Sequence, residues 1–149
     1  MKNNFWLLGI HRNIIADGDD TDGQYDFIEG VAQPGSKTPP HIHHQYAETE
    51  YVIEGELTIF TDTGTIVLHP GQGYTIPKGK PHALAATGQI PTKTITVFSP
   101  SGFAKVIRAA GIPGILTDGL PDKKTDMELF NTLSSEIGDV TLRPDTFIV

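Results

Sequence analysis

The feature that most limits what this chain can become is the spacing of its turn formers. Gly and Pro recur through the first hundred residues and cut them into short segments rich in Ile, Val, Thr, Tyr and Phe. Short runs of this composition between breakers read as β-strands, whereas a helix needs a longer apolar period. The pattern predicts strands at 5–10, 24–32, 39–44, 49–54, 56–61, 65–69, 73–76, 82–87 and 92–98, with almost no helix before Ser101. Glu54-Gly55-Glu56 and Asp62-Thr63-Gly64 supply hairpin corners, because glycine accepts the positive φ of a tight reversal.

After Pro100 the period changes. Phe103, Val106, Ile107 and Ala110 recur at helical spacing, and Gly111 and Pro113 then stop the run. A second helix is expected from Thr125, with Glu128 completing a capping box, Leu129, Phe130, Leu133 and Ile137 forming the apolar stripe, and Gly138 ending it. The stretch 111–124 reads as a linker or mobile flap. The expectation is therefore an all-β chain with a short helical extension: a single domain over 1–149, its core at about 24–100 and its helices at about 101–138.

Charge and composition exclude several partners. Eleven Lys and Arg against 18 Asp and Glu leave a formal charge of −7, which opposes a phosphate backbone, so nucleic acid is not expected. The chain has no cysteine, so a metal would have to be held by nitrogen and oxygen. The apolar run 5–10 is interrupted by His11 and Arg12 and is too short for a secretory core or a membrane span, which points to a cytoplasmic protein without membrane contact. Phe5, Trp6, Leu7 and Leu8 form an apolar edge that suggests pairing with a second copy in a homodimer.

The residues that carry chemistry lie in two stretches, from Gly35 to Gly55 and from Gly71 to His82. On a strand, His41 and His43 point to one face about 7 Å apart, from which two imidazoles can converge on one ion at about 2.1 Å. Glu48 lies an odd number of positions beyond His43, so it reaches the same face only if the chain bends within His44 to Ala47. His82 follows the stiff turn Pro77-Lys78-Gly79-Lys80-Pro81. Glu50 shares the parity of Glu48 and is either a second carboxylate at the site, able to move a proton, or an exposed strand residue. His44 reads as exposed, His69 as the end of a strand, and His11 carries no signal. Asp20, Asp22, Gly23 and Glu29 imitate part of a calcium loop, but Gly18 stands where the first ligand belongs and a strand follows, so an acidic turn is the better account.

These stretches resemble the cupin superfamily. Gly35, His41, His43, Glu48 and Gly55 match every interval of its first motif; Gly71, Pro77, Gly79 and His82 match the second, with Ala86 where the family has Asn. The N-terminal Phe5-Trp6-Leu7-Leu8-Gly9, Pro39-Pro40 and the helical tail resemble single-domain relatives of quercetin dioxygenases. The resemblance implies a jelly-roll barrel, a homodimer, and one divalent transition metal per chain, held by His41, His43, Glu48 and His82. Such a sphere suits iron, manganese, nickel, cobalt, copper or zinc. It further implies a dioxygenase acting on a flavonol-like or other enolisable small molecule, with Glu48 or Glu50 accepting the proton. A non-redox isomerase or hydrolase and a non-catalytic small-molecule-binding protein are the alternatives.

Overall fold

The computed structural model describes residues 2–147. Its strands form two antiparallel sheets that face each other. The first holds seven strands: β1 (Asn4–Leu7), β2 (Ile10–Ala16), β3 (Asp26–Ala32), β5 (Ala47–Glu54), β8 (Gly73–Ile76), β10 (Thr92–Ser99) and β11 (Ile112–Pro113), in the order β11-β1-β2-β3-β10-β5-β8. The second holds five, β4 (His41–His43), β6 (Leu57–Thr61), β7 (Gly64–Leu68), β9 (His82–Ala86) and β12 (Asp139–Thr141), in the order β12-β4-β9-β6-β7. Neighbours in the sheets are often distant in sequence, the arrangement of a jelly roll.

The period-two pattern on these strands builds the interior. On β10, Thr92, Thr94, Thr96 and Phe98 are buried while the intervening residues are partly exposed. Two apolar clusters result. One joins Ile14, Ile28 and Phe98 to the helix α2 (Phe103–Ala110); the other packs Val52, Leu57, Ile59, Leu68 and Ile76. Each fully buried Ile or Leu contributes about 1.5–3 kcal/mol. The candidate site lies between the two clusters.

Several details differ from the sequence-based expectation. The predicted single strand at 5–10 is a hairpin: Leu8 and Gly9 take φ of 54° and 78°, and β2 returns with Leu7 opposite Ile10. Two positive φ values mark a tight two-residue reversal, but Leu at the first position hides it from a reading based on Asn-Gly pairs. The apolar run Phe5 to Leu7 is also not an exposed edge. It is 7%, 4% and 2% exposed, covered by β11 on one side and by α2.

The last helix, α3 (Met127–Glu136), is capped by Asp126, whose side chain accepts from the Leu129 N–H at 3.0 Å. Thr125, the expected cap, instead accepts from the Leu8 N–H at 2.9 Å and ties the hairpin turn to this segment. Part of the expected 111–124 linker is ordered, with β11 on the sheet and a 3-10 turn at Leu116–Asp118. The acidic turn is a short helix, α1 (Gly18–Thr21), in which Asp17 and Asp20 form a reciprocal capping box. The Asp17 and Asp20 carboxylates accept from backbone N–H groups, consistent with an acidic turn.

Candidate metal centre

The four expected ligands come from three strands. His41 and His43 lie on β4, and His82 on β9 pairs in register with His41. Glu48 approaches from the other sheet, on β5. The chain bends at His44 and Gln45 between β4 and β5, which is the irregular corner that the spacing demanded. The site thus spans the interior between the two sheets. One nitrogen or oxygen from each of His41, His43, Glu48 and His82 lies within 4.8 Å of every other.

The Nδ1 side of every imidazole is already engaged. His41 Nδ1 is 2.7 Å from the Pro39 carbonyl, His43 Nδ1 is 2.7 Å from Asp139 Oδ1, and His82 Nδ1 is 2.9 Å from the Lys80 carbonyl. Donation from Nδ1–H to these oxygens leaves Nε2 as the inward, ligating atom. His82 Nε2 is buried and makes no hydrogen bond, lying 3.4 Å from Glu48 Oε1. A buried orphan nitrogen beside a carboxylate is costly in a core and is resolved by a cation. The donor set fits a divalent metal.

Electrostatics separate the members of the cluster. Burial, with the nearby His82 and His43, pushes His41 down to about 4, so it stays neutral. Burial also opposes charge on His43, but the Asp139 and Glu48 hydrogen bonds outweigh it and raise its pKa to about 9. Its Nε2 then donates to Glu48 Oε1 at 3.0 Å, and a metal at this point would displace that proton. Glu48 is held well below the carboxylate range: burial opposes this, but the hydrogen bond from His43 and the closeness of the His82 and His43 imidazoles prevail. Glu50 moves the other way, driven up by burial and then by the Glu48 charge.

Glu50 is buried, at 3% exposure, and both its oxygens accept from the Thr96 hydroxyl, at 3.0 and 2.8 Å. Of its two sequence readings, the exposed strand residue does not hold. Even so, it does not line the cavity that borders the ligand quartet, which is bounded by His41, His43 and Glu48 together with Leu7, Phe98 and Phe103. Glu50 borders a smaller adjoining cavity instead. His44 is exposed, as the strand parity implies. His69 stands just beyond β7 with its side chain 59% exposed, whereas His11 is buried with Nε2 3.0 Å from the Gly114 carbonyl.

Two residues at the site escaped the sequence reading. Asp139 follows Gly138 on β12, and pairing of that strand with β4 sets it directly opposite His43. Arg12 lies on β2 between the inward Ile10 and Ile14 and borders both cavities. A cation at core parity is a strong signal, but it becomes visible only once β2 is recognised as a strand.

Residues 29–98 match the cupin-domain family model. Over 104 residues the chain is 32% identical to quercetin 2,3-dioxygenase of Bacillus subtilis, an alignment that covers 70% of this chain and 30% of that protein. The chain therefore spans under a third of that relative's length. Among solved structures, the polyketide cyclase RemF from Streptomyces resistomycificus superposes with a TM-score of 0.55 at 25% identity, covering 62% of this chain and 66% of that one. Ectoine synthase from P. lautus gives a TM-score of 0.61 at 19% identity, over 83% and 90% of the two chains, a likeness of fold. No helix among the described residues is long and apolar enough to cross a membrane. With its matched segment running from β3 to β10 and all four ligand positions inside it, the chain belongs to the cupin superfamily as a small jelly-roll member.

Proposed function

We propose that this chain is a cytoplasmic metal-dependent oxygenase that binds an enolisable small molecule beside one divalent transition metal held by His41, His43, Glu48 and His82. The observation that carries the reading is the convergence of four donor atoms within 4.8 Å at the wall of a mainly apolar cavity. The similarity to a quercetin 2,3-dioxygenase supports the choice of oxygen chemistry. When bound, the metal would act as a Lewis acid that favours the anionic form of a coordinated substrate oxygen.

The protein's part is positioning and proton handling. Pro39, Lys80 and Asp139 fix the three imidazole rings through Nδ1, so the donor set is preorganised. Leu7, Phe98 and Phe103 exclude water, which strengthens charge interactions at the site. In this reading Glu48 or Glu50, two residues apart on the same strand, accepts a substrate proton. Homodimer assembly belongs to the same proposal. With Phe5 to Leu7 covered within the chain, Tyr51 and Ile53, 45% and 38% exposed, are part of the apolar surface left for it.

A second reading, non-redox cyclisation or isomerisation on the same metal, is favoured by the likeness to a polyketide cyclase. Elemental analysis, oxygen uptake over enolic compounds and light scattering test the proposal together. The expected result is one metal per chain, lost in His41→Ala, His43→Ala or His82→Ala, oxygen consumption that stops without metal, and a dimeric mass. Equal conversion with and without oxygen would exclude the oxygenase and favour the second reading, and a monomeric mass would remove the dimer.

A further inference from the structure

We propose that the cavity takes a small organic anion, a carboxylate of a few carbon atoms such as a 2-oxo acid, whose carboxylate is held by Arg12 while another oxygen faces the quartet. This rests on the reading of the quartet as a metal centre and deepens it by naming the substrate class.

Arg12 is the anomaly that leads there. A guanidinium stays charged in a protein and presents a planar fork of donors matched to a carboxylate. Here its Nε is buried without a hydrogen-bond partner, and among the described residues the side chain forms no ion pair within 4.0 Å. Burial works against its charge and lowers its pKa, and the Glu50 and Glu48 carboxylates offset this only in part, from farther off. A half-buried guanidinium whose Nε is fully enclosed and unpaired is expensive, and a bound anion relieves that cost.

The surroundings keep this fork free. Gly30 pairs with Arg12 across β2 and β3, and a Cβ at Gly30 would lie 3.2 Å from Nη1 of Arg12 and 3.2 Å from Thr94 Oγ1. Glycine inside a strand marks a close approach of this kind. Arg12 borders both the cavity at the quartet and the adjoining one, so one molecule can reach Arg12 and the metal ligands together.

Size and charge narrow the occupant. The two cavities measure about 70 and 40 Å³, far below the roughly 300–1,000 Å³ typical of sites for drug-sized ligands. A three- or four-carbon acid suits this space better than a flavonol. A divalent ion on three neutral imidazoles and one carboxylate keeps one net positive charge; Arg12 adds another and Glu50, which borders the adjoining cavity, removes at most one, so the sum stays positive. Lys37, exposed at the adjoining cavity, adds to the same sign.

The test is calorimetric titration of the cobalt(II)-loaded protein with pyruvate and with its neutral analogue pyruvamide. Pyruvate should bind at least tenfold more tightly, and Arg12→Gln should abolish the preference at unchanged cobalt content. Gly30→Ala, which crowds the guanidinium without removing its charge, should weaken the preference several-fold. An undiminished preference in Arg12→Gln would overturn the proposal, as would quercetin binding that pyruvate cannot displace. If Arg12→Gln fails to fold or to hold cobalt, Gly30→Ala decides, and an unchanged preference there is equally fatal. Oxygen uptake is measured separately: its absence removes the oxygenase reading while the anion preference stands. If the parent takes up no cobalt, the metal reading fails, and the same comparison on the metal-free protein decides whether Arg12 selects an anion.

Discussion

Asp139 Oδ1 lies 2.7 Å from His43 Nδ1, and the other oxygen of that carboxylate accepts from the Tyr46 hydroxyl at 2.8 Å. The Tyr46 ring also stacks on the His43 imidazole, with centroids 4.4 Å apart. A residue outside the matched cupin segment thus sets the tautomer and the plane of a candidate ligand inside it.

Asp139→Ala should therefore weaken metal binding by about 10–100-fold while leaving all four candidate ligands in place. Asp139→Asn keeps an acceptor for His43 and should lose less. Competition against a chelator of known affinity measures both. Parent-like affinity in Asp139→Ala would show that His43 needs no orienting partner.

The contrast between His43 and Asp139 shows what a sequence can reveal here. The ligand quartet is legible because strand parity, one bend and one stiff turn suffice to bring it together, and each leaves a local mark in residue type and spacing. Asp139 contributes through a three-residue strand whose pairing with β4 spans 96 positions, and nothing local announces it. Arg12 was hidden for a similar reason, since Leu8 at positive φ disguises the turn that creates β2. Strands with clear breakers were legible, and long-range partners were not.

Gly55 illustrates a motif residue whose role is steric. It takes a φ of 80°, and a Cβ there would fall 2.8 Å from both the Pro91 carbonyl oxygen and the Thr92 Cα. Both neighbours are backbone and cannot move aside cheaply. Gly55→Ala should destabilise the fold by about 2 kcal/mol or more, combining left-handed strain with the clash. Chemical denaturation gives the number, and a change below about 0.5 kcal/mol, the range of a neutral surface substitution, would contradict the steric account.

The tie between Asp17 and Arg108 gives an acid-limb prediction. Arg108 Nε donates to Asp17 Oδ2 at 3.1 Å, Nη1 donates to the Lys2 carbonyl and Nη2 to Asn3 Oδ1, so α2 is fastened to the N-terminal segment. Partial burial raises the Asp17 pKa, but the Arg108 bond and two backbone N–H groups more than offset it, and the net shift is below 3.8. A depressed carboxyl pKa adds stability that is complete above the unfolded value and is lost as pH falls through the folded one. Arg108→Gln should thus cost stability at neutral pH and show a shallower loss below about pH 4 than the parent. Parallel stability curves across that range would mean that the pair contributes nothing to the acid limb.

Glu50→Gln probes the second carboxylate in three ways. In the metal-free protein burial and the Glu48 charge push the Glu50 carboxyl well above 4.5, so the folded state favours its neutral form. A raised carboxyl pKa gives stability that is present below the unfolded value and lost as pH rises toward the folded one. Glutamine keeps the size and neutrality of the protonated side chain without that loss. The variant should match the parent within about 1 kcal/mol near pH 4 and become progressively more stable than it as pH rises. Metal content should be unchanged, because Glu50 stands outside the quartet. Turnover should fall all the same if Glu48 passes a substrate proton back to Glu50, since an amide cannot take it. Loss of metal on this substitution would instead place Glu50 among the ligands, and full turnover with full metal content would leave proton transfer to Glu48 alone.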